Sequence, residues 1–126
     1  MPDTFPQVSR TNDTLVIALS RCDRDMTTMT IDVVLDFDTW RNVNGIEIID
    51  LGFQVGSALL GKIRRSLNEK AGAFRPSYDD ESDCAYIHLV EDERSPFQKT
   101  SVAVLSFDRD GWLCEMRVAL PKVDDR

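Results

Sequence analysis

The sequence predicts an α+β domain in which two antiparallel three-stranded β units, related by internal duplication, flank one amphipathic helix packed on the sheet. Three observations predict it: a repeat at an offset of 70 residues, period-2 alternation in six segments, and one helical stripe between the repeats. Sliding residues 7–50 onto 77–120 without a gap matches Asp13 with Asp83, Ile17 with Ile87, Leu19 with Leu89, Arg24 with Arg94 and Thr30 with Thr100. Val34 then falls on Val104, Leu35 on Leu105, Phe37 on Phe107 and Asp38 on Asp108. Later apolar positions stay in phase, with Val43 on Leu113, Ile46 on Met116 and Ile48 on Val118. The 126 residues fit a single domain, 1–126, with units 7–50 and 77–120 joined by a helix and linker, 51–76.

In the first unit the strands are expected at Leu15–Leu19, Thr28–Asp36 and Ile46–Leu51. In the second they are expected at Ala85–Val90, Thr100–Phe107 and Trp112–Leu120. Arg109-Asp110-Gly111 supplies a tight hairpin whose glycine can take positive φ, and Trp40–Gly45 is the matching, looser turn. Between the units Val55, Leu59, Ile63 and Leu67 recur at i, i+4 spacing, which predicts a helix over Val55–Glu69. Gly72 and Pro76 end it. The opposite helix face carries Lys62, Arg64 and Arg65, and its expected place is against the acidic sheet of its own chain.

Composition excludes several classes. Fifteen Lys+Arg against twenty-two Asp+Glu give a formal charge of −7, which disfavours direct binding to phosphate backbones and favours a basic partner. Residues 55–77 hold five basic groups and one acid, so the rest of the chain carries −11. No window approaches ~18 apolar residues without a charge, and Met1-Pro2-Asp3 lacks the basic-then-apolar order of a secretion signal, so no membrane is expected and the location is read as cytoplasmic. Cys22, Cys84 and Cys114 form neither a disulfide framework nor a zinc pattern and are read as reduced thiols. His88 is the only histidine and lies in an alternating strand, without a constellation that would make it catalytic.

The run Ser77-Tyr78-Asp79-Asp80-Glu81-Ser82-Asp83-Cys84-Ala85-Tyr86-Ile87-His88-Leu89, followed by Val102 to Leu113 with its Asp108-Arg109-Asp110-Gly111 hairpin, resembles the small bacterial DUF2283 family. That family opens with a Tyr-Asp-x-Glu-x-Asp-x-hydrophobic-Tyr-Ile run and continues with a strand, an acidic-Gly hairpin and a closing strand. The resemblance covers about 77–120 and reaches 7–50 only through the duplication, where Val8-Ser9 replaces Tyr78-Asp79 and Arg41-Asn42 replaces the hairpin glycine. It implies a fold and no activity.

The expected partner-binding residues are the acidic runs Asp79, Asp80, Glu81, Asp83 and Glu91, Asp92, Glu93, together with Trp112 beside its turn. Neither run reproduces a calcium loop, and no phosphate loop or catalytic set is present, so no cofactor and no enzymatic activity are expected. The expectation is a non-catalytic inhibitor, of immunity or antitoxin type, that neutralises a basic toxin such as a nuclease by protein contact. The alternatives are a structural or oligomerisation module, a possible homodimer in which an open sheet edge pairs with another copy, and a small-ligand protein using the groove between units.

Overall fold

The computed structural model of the chain describes residues 5–22, 26–90 and 96–121. Among the described residues eight strands form: β1 (Gln7–Arg10), β2 (Thr14–Ala18), β3 (Thr27–Phe37), β4 (Val43–Ile48), β5 (Ser77–Asp79), β6 (Cys84–His88), β7 (Phe97–Phe107) and β8 (Leu113–Ala119). Alternation gives each long strand a buried side and a wetter one. Leu15 and Ile17 are buried on β2, Ile31, Val33 and Leu35 on β3, Ala85 and Ile87 on β6, and Ala103 and Leu105 on β7. All strands belong to one antiparallel sheet ordered β1-β2-β8-β7-β3-β4-β6-β5, curled as a half-barrel.

The expected α+β pair of three-stranded units is overturned by this order. The architecture is mostly sheet, each repeat contributes four strands, and neither repeat closes on itself. β3 lies between β4 and β7, paired with β7 along its whole length from Thr27↔Phe107 to Phe37↔Phe97. The two longest strands thereby satisfy each other's backbone groups, which a five-residue β2 cannot do. β2 pairs instead with β8, and β6 with β4, so the repeats interleave. Alternation reports which face a residue occupies and not which strand lies beside it, and β1 and β5 were too short and polar to read as strands.

The strand bounds nevertheless recur at an offset of 70, with Thr27–Phe37 answering Phe97–Phe107 and Thr14–Ala18 answering Cys84–His88. Asp32 faces Val102, the position 70 residues on, so a pseudo-twofold axis passes between them and exchanges the two ends of the sheet. The turns after β3 and β7 share one geometry. Asp38 accepts the amides of Trp40 and Asn42, and Asp108 those of Asp110 and Trp112. Trp40–Gly45 is therefore not the looser turn: Arg41 (φ 67°) takes the left-handed conformation that Gly111 (φ 87°) takes in its twin.

The helical segment differs from expectation at its start. A short helix α1 (Leu51–Val55) breaks at Gly56, whose φ of 89° no other residue adopts freely, and α2 (Ser57–Lys70) follows. A 3-10 turn covers Gly72–Phe74. Ile63 and Leu67 bury the α2 stripe in the core with Leu51 and Val55 from α1, each such side chain contributing about 1.5–3 kcal/mol. No helix among the described residues is long and apolar enough to cross a membrane.

The reading of all three cysteines as thiols is also corrected. Cys22 and Cys114, 92 residues apart in sequence, form a disulfide with Cα atoms 5.7 Å apart. Their proximity is a product of topology: the Cys114 carbonyl accepts the amides of Leu19 and Ser20 as the chain leaves β2. Cys84 stays free.

Candidate functional site

The expected partner-binding residues divide between the ends of β6. Asp79, Asp80, Glu81 and Asp83 form the β5–β6 turn, while Glu91, Asp92 and Glu93 follow the far end of β6 in sequence and lie outside the described residues.

Within the β5–β6 turn the carboxylates have distinct employments. Asp83 takes the left-handed conformation (φ 56°) and supplies the acceptors for the first three amides of α1. Its carbonyl accepts the Leu51 amide at 2.9 Å, and its carboxylate the amides of Gly52 at 2.7 Å and Phe53 at 3.0 Å. The Tyr78 hydroxyl donates to the same carboxylate. That hydrogen bond, followed by the Gly52 amide, holds the Asp83 carboxyl below its ordinary range, although partial burial opposes the shift. Tyr78 is pushed up to about 12, first by its hydrogen bond to Asp83, then by desolvation and by the charges of Asp83 and Asp80. Asp79 accepts from the Glu81 amide and the Ser82 hydroxyl, which shapes the turn. Asp80 meets Arg64 at 3.4 Å, but its side chain is 80% exposed, so solvent screens the pair and the negative charge still faces outward. Glu81 is exposed and its carboxylate has no partner among the described residues.

Trp112 is half-buried under the basic face of α2. Lys62 Nζ lies 4.7 Å and the Arg65 guanidinium 5.4 Å from its ring, and Lys62 also donates to the Asp110 carbonyl. Ser66 Oγ, buried one turn on, accepts the Leu113 amide. Arg64 covers the Tyr78 ring at 4.4 Å. Lys62, Arg64 and Arg65, three of the four cations of α2, thus contact two turns of their own molecule, Arg65 also meeting Glu69 at 3.0 Å, and Trp112 serves as the seat of the helix. Trp40, on the twin turn, is 78% exposed.

The residues that sequence reasoning missed lie on the open face of the sheet. Asp36, only 5% exposed, accepts from the Tyr86 hydroxyl and from Gln98 Nε2 at 2.8 Å. Tyr86 packs against His88 with ring centroids 4.6 Å apart, and a β-carbon on Gly45 would fall on the Tyr86 hydroxyl. The twin positions of Asp36, Tyr86, Gln98, His88 and Gly45 are Ser106, Val16, Thr28, Ala18 and Glu115. This departure from the repeat was the available signal. The network is satisfied internally and fixes the β6–β4–β3–β7 half of the sheet.

Near the pseudo-twofold axis Asp32, Val33, Val34, Ile49, Thr100, Ser101 and Val102 line a groove of about 420 Å³. Among the described residues no group of three or more His, Cys, Asp or Glu is placed to hold a metal ion. Comparison with known proteins finds no matching family model, no similar curated protein and no similar solved structure, so the resemblance of 77–120 to the DUF2283 family rests on its motifs alone.

Proposed function

We propose that the chain is a non-catalytic binding protein that neutralises a basic protein partner, in the manner of an immunity or antitoxin-type inhibitor of a nuclease-like toxin. The contacts that Lys62, Arg64 and Arg65 make with their own molecule carry this reading. Lys62, Arg64 and Arg65 face Trp112, Tyr78 and Asp80 of their own molecule, while Asp80 and Glu81 stay exposed at the same end of the sheet. A net charge of −7, with Lys62, Arg64 and Arg65 set against aromatic rings of their own molecule, favours a cationic surface over a nucleic acid. A nuclease cleft, built to receive phosphates, is such a surface, and complementary potentials raise the association rate.

The test is stopped-flow association and inhibition against a panel of basic nucleases over a range of salt concentrations. The wild-type chain inhibits at least one of them, with an association rate that falls as salt rises. Reversal of Asp80 and Glu81 to Lys slows that association by about tenfold or more and flattens its salt dependence. Absence of inhibition throughout the panel, or association unaffected by the reversal, rejects the reading.

A further inference from the structure

We infer that the groove on the open face of the sheet receives an arginine or lysine side chain of the basic partner, its aliphatic stem on Val34, Ile49 and Val102 and its cation at the Asp32 carboxylate. This rests on the proposed function for the nature of the partner, and on independent geometry for the place. Val102 is 41% exposed and Ile49 43% exposed, beside half-buried Val34. Asp32 is the one charged residue among those lining the groove, and among the described residues no cation pairs with its carboxylate. An apolar floor with one carboxylate at its edge matches a side chain that is hydrocarbon for most of its length and cationic at its tip.

The groove is also built. β4 ends at Ile48, before it can cover the backbone of Asp32, and the Gln54 side chain from α1 takes over that edge. Its carboxamide accepts the Asp32 amide at 2.7 Å and donates to the carbonyls of Asp32 at 3.1 Å and Ile49 at 2.8 Å. The backbone edge is thus satisfied while the side chains of Asp32, Val34 and Ile49 are left facing the groove. Across the axis the twin of Asp32 is Val102, so the site has one charged wall and one apolar wall. A second copy of this chain is the disfavoured occupant, because it also carries −7.

The probe is butylguanidinium titrated into the full chain, followed by backbone amide shifts, with butyrate as the anion of matched size. Saturable shifts at Val34, Ile49, Thr100 and Val102 with butylguanidinium and none with butyrate support the inference. Asp32→Asn, at an exposed position, keeps the fold and weakens the cation about three- to fivefold, the scale of a solvent-exposed ion pair. Equal response to both probes, shifts elsewhere on the molecule, or an unchanged affinity in Asp32→Asn would overturn it. Concentration-dependent shifts of the same amides without probe, with a dimer mass by light scattering, would overturn it in favour of a second copy. Salt-dependent nuclease inhibition without groove shifts removes this inference alone, and groove shifts without inhibition remove the proposed function alone.

Discussion

Asp83 illustrates how one residue joins the acidic turn to the helical segment. Its carbonyl and carboxylate take the first amides of α1, and Tyr78 donates to the carboxylate from β5. Ionised Asp83 and neutral Tyr78 are therefore the folded partners, and both titrations turn into stability. The folded carboxyl of Asp83 lies below its unfolded value, so its contribution is present above about pH 4 and is lost as pH falls through the folded value. Tyr78 moves the other way. Its folded value of about 12 exceeds the unfolded 10, so its contribution is complete below pH 10 and disappears between pH 10 and about 12. Urea midpoints measured across pH are expected to be level near neutrality, to fall in acid and to fall again above pH 10. Tyr78→Phe flattens the alkaline limb, and an alkaline limb unchanged in that variant would sink the assignment.

Where the chain leaves β2 and β6, it meets the sheet through a buried residue whose carbonyl accepts two amides: Cys114 from Leu19 and Ser20, and its twin Asn44 from Leu89 and Val90. The sequence repeats this arrangement, but only one copy adds a covalent bond, because Cys22 is answered by Asp92 and Cys114 by Asn44. Closing a loop of 92 residues restricts the unfolded chain, so reduction, or Cys22→Ser, is expected to lower stability by about 2–4 kcal/mol in denaturant titration. Identical midpoints with and without reductant would contradict this. Such bonds persist in oxidising surroundings and are reduced in the cytosol, so the bond and the cytoplasmic expectation pull in opposite directions. At this scale the sequence was legible where information is local. Five of the longer strands and the α2 stripe follow from periodicity, and the hairpin glycine from turn chemistry; the strand expected at Ile46–Leu51 runs instead over Val43–Ile48, because Leu51 opens α1. The disulfide, the Asp36–Tyr86–Gln98 network and the Asp32 groove were not legible, because each joins residues distant in sequence whose adjacency the alternation pattern leaves open.

Across the whole molecule the order β1-β2-β8-β7-β3-β4-β6-β5 reads the same from either end when each strand is replaced by its twin. That symmetry explains why a repeat legible in the sequence did not imply two separable units. β2 has its partner in β8 and β4 has one in β6, so a single repeat leaves unpaired edges on both of its hairpins. The central pairing between the repeats is β3–β7, where Asp32 meets Val102 on the axis. In the isolated segment 77–120 every edge that the first repeat covers is exposed, and the α1–α2 segment is missing from the core. Such a chain cannot bury enough apolar surface to fold alone. Its one route to structure is to use a second copy as the absent repeat, pairing β7 with β7 about Val102 and β6 with β8 of the other copy. The segment 77–120 is accordingly expected to be either unfolded by circular dichroism or a folded dimer by light scattering. Adding the complementary segment 1–76 should restore a one-to-one complex with the sheet signal of the full chain. A folded monomer of 77–120 would show that the repeats are self-sufficient and that their interleaving is not what holds the sheet together.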